Sequence, residues 1–99
     1  MSHTVVATFR IKPEHLSDFN KLLADPEHGL SLTRRWKGCV SIQCYIDQDD
    51  PNTIVLWEKW EQRQDHVDYL IMRTNTGFFD KVGSMFVAEP VIIHLGKPV

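Results

Sequence analysis

The sequence has no excess of positive charge: its 99 residues carry 11 lysines and arginines against 13 aspartates and glutamates, a formal net charge of −2. Nucleic-acid binders present a basic stripe. The one basic cluster here, Arg34, Arg35 and Lys37 around Trp36, reads instead as the solvated C-terminal end of a helix, so no nucleic acid is expected as a partner. Cysteine is nearly absent. Cys39 and Cys44 are too few for a disulfide framework. On a single strand over 39–46 they are expected on opposite faces, unable to bridge, which points to reduced thiols and a cytoplasmic setting. Glycine and proline number five each, which excludes collagen-like and low-complexity chains. No apolar run approaches the roughly 20 residues that cross a bilayer, and residues 1–4 lead into a strand-like segment rather than a signal peptide. No membrane association is expected.

Cofactor and metal motifs are missing as well. The five histidines, at 3, 15, 28, 66 and 94, show no two-histidine helical spacing, and no cysteine pair is separated by two residues, so no metal site is expected. There is no glycine-rich phosphate loop after a strand and no nucleophile motif. The expectation is no cofactor, which leaves cofactor-free chemistry or plain ligand binding.

The residues that are present are ordered as one domain over 1–99. Residues 4–11 are rich in β-branched and aromatic side chains, with Val5, Ala7, Phe9 and Ile11 on one face of a first strand. Pro13 and Glu14 suit the first turn of a helix whose apolar positions are Leu16, Phe19, Leu22 and Leu23. Asp25-Pro26 interrupts it, a short helical extension resumes through Leu30 and Leu32, and Lys37-Gly38 ends that. Residues 39–46 alternate as a second strand, 47–52 form a turn cluster, and 53–60 form a third strand, making an antiparallel hairpin. Helical periodicity runs over 61–72, with Val67, Leu70 and Ile71 as its buried direction, and again through Phe78, Phe79, Val82 and Phe86 until Ala88-Glu89-Pro90. Residues 91–95 form a fourth strand.

The order β-α-β-β-α-β predicts an α+β, ferredoxin-like arrangement: a four-stranded antiparallel sheet with helices on one face. The third strand is apolar on both sides, with Ile54, Leu56 and Trp60 on one and Val55 and Trp57 on the other. A sheet with helices for only one of two apolar faces is expected to bury the other against a second copy. The expectation is a homodimer joined through the sheet face.

The stretch Ile54-Val55-Leu56-Trp57-Glu58-Lys59-Trp60, followed by Gln62-Arg63 and a helix, resembles the aliphatic-aromatic-Glu-x-Trp signature of the antibiotic biosynthesis monooxygenase family. The resemblance extends to Lys12-Pro13-Glu14, Gly38-Cys39 and Asp49-Asp50-Pro51. It implies a dimeric α+β barrel and two enzymatic precedents, cofactor-free oxygenation of phenolic or quinol substrates and oxygenative breakdown of haem. The haem-degrading relatives use an Asn in the first strand, a Trp ending the third and a His about ten residues into the next helix. Trp60 matches. Residues 4–11 hold no Asn, Tyr69 and Leu70 stand where the His should fall, and His66 comes about one turn early, so the pattern departs from haem chemistry.

Candidate catalytic residues are His66, Tyr69 and Arg73, whose spacings of three and four put them along one flank of the second helix. His66 and Arg73 are expected at the border of its buried direction, and taken singly the three read as a surface His, a partly buried Tyr at the dimer rim and a snorkelling Arg. Facing a cleft, Tyr69 and Arg73 would hold a phenolate or carbonyl oxygen and His66 would accept a proton. In that event Tyr69→Phe and Arg73→Ala should weaken ligand binding while leaving unfolding nearly unchanged. Candidate substrate-binding residues are Trp60, as a stacking wall, Phe78, and Glu58, for which a structural ion pair with a partner such as Arg10 is the first expectation. The leading functional reading is a homodimeric, cofactor-independent monooxygenase for a small aromatic or quinol substrate. Its rival is a non-catalytic small-molecule-binding dimer, with haem degradation third.

Overall fold

The computed structural model describes residues 2–99. Four strands, β1 (His3–Arg10), β2 (Cys39–Ile46), β3 (Thr53–Trp60) and β4 (Val91–Leu95), form one sheet in the order β2-β3-β1-β4. Every neighbour pair is antiparallel. The helices are α1 (Leu16–Ala24), α2 (Leu30–Arg35), α3 (Arg63–Asn75) and α4 (Phe78–Val82), with 3₁₀ turns at Pro13–His15 and Gly83–Met85. The expected α+β architecture is the observed one, and among the described residues no helix is long and apolar enough to cross a membrane.

Local chemistry explains the chain reversals. Pro13 opens the turn that leads into α1, where only Phe19 is fully buried. Asp25 then ends the helix by accepting hydrogen bonds from the backbone of Glu27 (2.8 Å) and His28 (3.0 Å). Gly29 closes this loop so tightly that a Cβ there would meet carbonyl oxygens of Leu22, Leu23 and Asp25. In the β2–β3 turn, Asp47 accepts from Asp49 N (2.8 Å), and Asp50 accepts from the Thr53 hydroxyl (2.7 Å).

Register places Phe9, Ala7, Val5 and His3 of β1 beside Ile54, Leu56, Glu58 and Trp60 of β3 on the helix-covered face. The main core lies there, with Phe9, Phe19 and Phe86 in mutual ring contact. The register shift between Cys39 and Ser41 corrects one expectation. A bulge at Val40 inserts one residue, so Cys39, opposite Trp60, and Cys44, opposite Leu56, share the helix-covered face. Both remain free thiols. With the bulge they stand opposite residues four apart on β3, about 13 Å at 3.3 Å per residue, and that distance, not opposite facing, keeps them apart.

Two helical boundaries also differ from expectation. The second long helix starts after an extended Gln62 and runs to Asn75, and Gly77 follows at φ 82°. The last helical stretch ends before Phe86, which is extended and bridges Ile11 while Lys12 N and Val87 N bond across the same junction. Phe86 thus joins the core as an extra sheet-edge residue instead of a helical one.

The other sheet face is open. Trp57 is 42% exposed, Ile93 48% and Tyr45 52%, and Val91 and Leu95 are exposed beside them.

Candidate functional site

The larger correction concerns α3. Ile71 is 52% exposed, whereas His66, Tyr69 and Arg73 are buried. At about 100° per residue these three lie within about 60° of one another, and Leu70 falls beside them, while Ile71 points nearly the opposite way. The helix turns its polar side chains inward. Their inward placement brings all three, with Glu58, Thr33 and Phe78, to the wall of a cavity of about 50 Å³ between helices and sheet. Ala7, Phe9, Leu56 and Phe79 are among the apolar side chains that complete it. A cavity able to hold benzene is about 150 Å³, so in this conformation the space suits a water or dioxygen molecule.

One pole of the cavity is a saturated network. Arg73 Nε donates to the Tyr69 hydroxyl (2.7 Å), Nη1 to His28 O (2.7 Å), and Nη2 to Gly29 O (3.0 Å) and Thr33 Oγ1 (3.2 Å). The guanidinium also stacks over the Phe78 ring at 4.7 Å. It therefore ties α3 to the loop that Asp25 and Gly29 shape and to α2. The Tyr69 and Thr33 hydroxyls lie 2.6 Å apart. They own two hydrogens, share one hydrogen bond, and each also accepts from Arg73. Among the described residues one hydroxyl hydrogen is left over, on a group that borders the cavity. Burial raises the Tyr69 pKa, against the lowering effects of Thr33 and Arg73, so the phenol stays protonated.

The opposite pole is sparsely satisfied. Glu58, 3% exposed, accepts from Trp60 Nε1 (3.0 Å), and its Oε1 lies 3.8 Å from His66 Nε2. The expected partner Arg10 is exposed and its register opposite Thr53 sets it on the other face at the far end of the strand. Burial pushes the Glu58 carboxyl up to about 7. It pushes His66, 1% exposed, down to about 4, assisted by His94, His3 and Arg63. The two therefore face each other at neutral pH as an uncharged imidazole and a carboxyl near its midpoint, not as a fixed ion pair. His66 Nδ1 is buried without a partner among the described residues.

Trp60 does not line the cavity. Fully buried, it backs the Glu58–His66 pair, with its ring 5.4 Å from His66 and 5.2 Å from Tyr69. Sequence reading missed Thr33, His3 and His94. Thr33 follows no motif, and the two histidines are joined only by register: Val5 pairs with His94, which makes His3 its diagonal neighbour, with Nε2 and Nδ1 2.7 Å apart.

Known structures share this architecture. A conserved protein from Methanosarcina mazei Go1 is 19% identical, covers 99% of this chain and 94% of its own, and superposes with a TM-score of 0.85. For Rv0793 from Mycobacterium tuberculosis the values are 21%, 100%, 97% and 0.83. An antibiotic biosynthesis monooxygenase structure gives 19%, 100%, 100% and 0.78. At these identities the likeness is one of fold. No curated protein matches the chain. The family profile described as antibiotic biosynthesis monooxygenase matches residues 2–71, which include β1 to β3 and α3 through Ile71 with Glu58, His66 and Tyr69. The chain belongs to the antibiotic biosynthesis monooxygenase family.

Proposed function

We propose that the protein is a cofactor-independent monooxygenase for a small aromatic or quinol-type substrate, acting as a homodimer joined through the open sheet faces. The observation that carries this reading is the polarity of the cavity. A proton acceptor, Glu58 with His66 beside it, stands at one end, and a hydrogen-bond donor pair, Tyr69 and Thr33 under Arg73, stands at the other. A substrate oxygen accepts the spare hydroxyl hydrogen, while ionised Glu58 takes a proton from the activated carbon or hydroxyl. The resulting anion is electron-rich enough to reduce dioxygen. For a methylene carbon, one oxygen atom becomes the carbonyl and the other leaves as water with both hydrogens, so all four electrons come from the substrate. Water exclusion protects the anion.

An aromatic ring needs more room than about 50 Å³. The movable wall in this reading is α4, where half-buried Phe78 and Phe79 sit between Gly77 and Gly83. The dimer rests on the exposed apolar row of Trp57, Tyr45 and Ile93. Light scattering at micromolar concentration should give twice the chain mass, and Trp57→Lys with Ile93→Lys should give the mass of one chain.

The test of activity is oxygen consumption with a panel of hydroquinones and anthrones. Turnover should fall by about 100-fold in Glu58→Gln, the scale of a lost general base. One rival, using the same cavity, is a non-catalytic small-molecule-binding dimer. A panel member that binds without consuming oxygen supports that rival. An unchanged Soret band on haem titration removes haem degradation.

A further inference from the structure

Glu58 is 3% exposed on the helix-covered face, so its carboxyl exchanges protons with solvent, as it must to start each cycle ionised, only through the groups that reach it. On the helix-covered face, Glu58 of β3, Val5 of β1 and His94 of β4 form one row across the sheet. Glu58 and His94 are thus two strand spacings apart, about 9.6 Å, too far for direct exchange. His66, reaching in from α3, is near both. Its Nε2 is 3.8 Å from Glu58 Oε1, and its ring meets the His94 ring edge-on at 5.3 Å between centroids. His94 Nδ1 then lies 2.7 Å from His3 Nε2. His3 and His94 are only half-buried, at the sheet edge next to the C-terminal segment.

We propose that His66, His94 and His3 form a proton relay that connects the Glu58 carboxyl to solvent. This rests on the proposed role of Glu58 as proton acceptor and adds the route by which its carboxyl equilibrates with solvent. Each imidazole takes a proton on one nitrogen and gives one up from the other. The Glu58 carboxyl passes its proton to Nε2 of a His66 that carries its own proton on Nδ1, and that Nδ1–H passes to His94 Nε2. His94 Nδ1–H hands on to His3 Nε2, and His3 Nδ1–H releases to water. One proton enters and one leaves, no charge accumulates, and the three rings return to their starting tautomers before the next pass. His66 Nδ1 has no hydrogen-bond partner among the described residues, so it is free to donate, and the transfer to His94 takes place when the edge-on rings, 5.3 Å apart between centroids, move closer. The other ionisable groups acting on this pair and its route are Cys39 on β2 and Tyr69 and Arg63 on α3. The two nearest Glu58 are protonated at neutral pH, and Arg63 discourages any imidazolium from persisting along the path.

A relay sets a rate without setting a midpoint, and that separates it from a structural role. The Glu58 carboxyl band is followed by infrared difference spectroscopy after flash release of a caged proton, with Glu58→Gln to assign the band. In His94→Phe and in His3→Gln, re-equilibration should slow by at least about tenfold, as for a lost proton-transfer group, with the titration midpoint unchanged. Added imidazole should restore the rate. An unchanged rate in both folded variants overturns the relay, as does a slower rate that imidazole leaves slow. If His94→Phe fails to fold, His3→Gln at the sheet edge decides alone by the same outcomes. No substrate is involved, so the relay and the oxygenase reading fail separately: oxygen consumption tests one, and protonation kinetics the other.

Discussion

Arg73 and His66 stand seven residues, about two turns, apart on the same inward face of α3, and their surroundings treat them in opposite ways. Arg73 has a partner for Nε and for both terminal nitrogens. His66 has a carboxyl at 3.8 Å, aromatic rings, and a bare Nδ1. A buried group that is fully hydrogen-bonded rigidifies the fold, whereas one left partly unsatisfied lowers stability and persists where it has something else to do. The comparison makes Arg73 the structural tie that holds the donor hydroxyls in place, and leaves the Glu58–His66 end as the place of the proposed proton transfer.

The sharpest way to break that division is Arg73→Ala. It strips the donor from the carbonyls of His28 and Gly29 and from two buried hydroxyls, and urea denaturation should show a loss of about 3–5 kcal/mol, the scale of two or more hydrogen bonds from a charged donor. This reverses the expectation from sequence that unfolding would be nearly unaffected. A loss below about 1 kcal/mol, within the range of an exposed ion pair, would mean that Arg73 is not the tie between α3 and α2.

The other end should announce itself through pH. Glu58 is shifted from an ordinary 4.5 up to about 7, so the folded chain keeps a proton that the unfolded chain releases. That contribution is complete below about pH 4.5 and is lost as pH rises through about 7. His66 is shifted from 6.5 down to about 4. Its contribution is complete above about pH 6.5 and is lost as pH falls through about 4. Between about 4.5 and 6.5 the two slopes oppose and nearly cancel. Glu58→Gln should unmask a stability that falls on acidification, by on the order of 3 kcal/mol for a shift of this size. His66→Gln should unmask the opposite slope. Denaturation midpoints at half-unit pH intervals check both, and parallel profiles for the two variants would sink the assignment.

The sheet was readable because strand alternation and turn chemistry are local: residues 39–46 and 53–60 flank an aspartate-rich turn, and the pattern alone pairs them. The bulge at Val40 was not readable, because one inserted residue leaves the alternation superficially intact while reversing the facing of everything after it. On α3 the aliphatic residues Val67, Leu70 and Ile71 gave the wrong inward direction by sequence. Only Leu70 lies on the observed side, since the interior direction is taken by His66, Tyr69 and Arg73. A helix that buries polar groups violates binary patterning, and such violations concentrate at functional sites. That irregularity was the available signal for the candidate site, while His3, His94 and Thr33 enter only through register and packing.

The smallest expected effects distinguish the two hydroxyls at the saturated end. Tyr69→Phe removes the oxygen to which Arg73 Nε donates and should cost about 1.5–3 kcal/mol, the range for a hydrogen bond to a charged donor. Thr33→Val keeps the volume and leaves Arg73 Nη2 its bond to Gly29 O, so about 1 kcal/mol or less is expected. Their effects on a bound hydroquinone discriminate further. If Thr33 donates to Tyr69, the tyrosine hydrogen is the spare one, and Tyr69→Phe alone should weaken binding, by about fivefold to tenfold for one neutral hydrogen bond. Calorimetric titration of both variants reads this directly. Weakening by Thr33→Val with no change in Tyr69→Phe would move the donor to Thr33 and leave Tyr69 as its support. Equal affinities in both would remove the donor pole from the proposed mechanism.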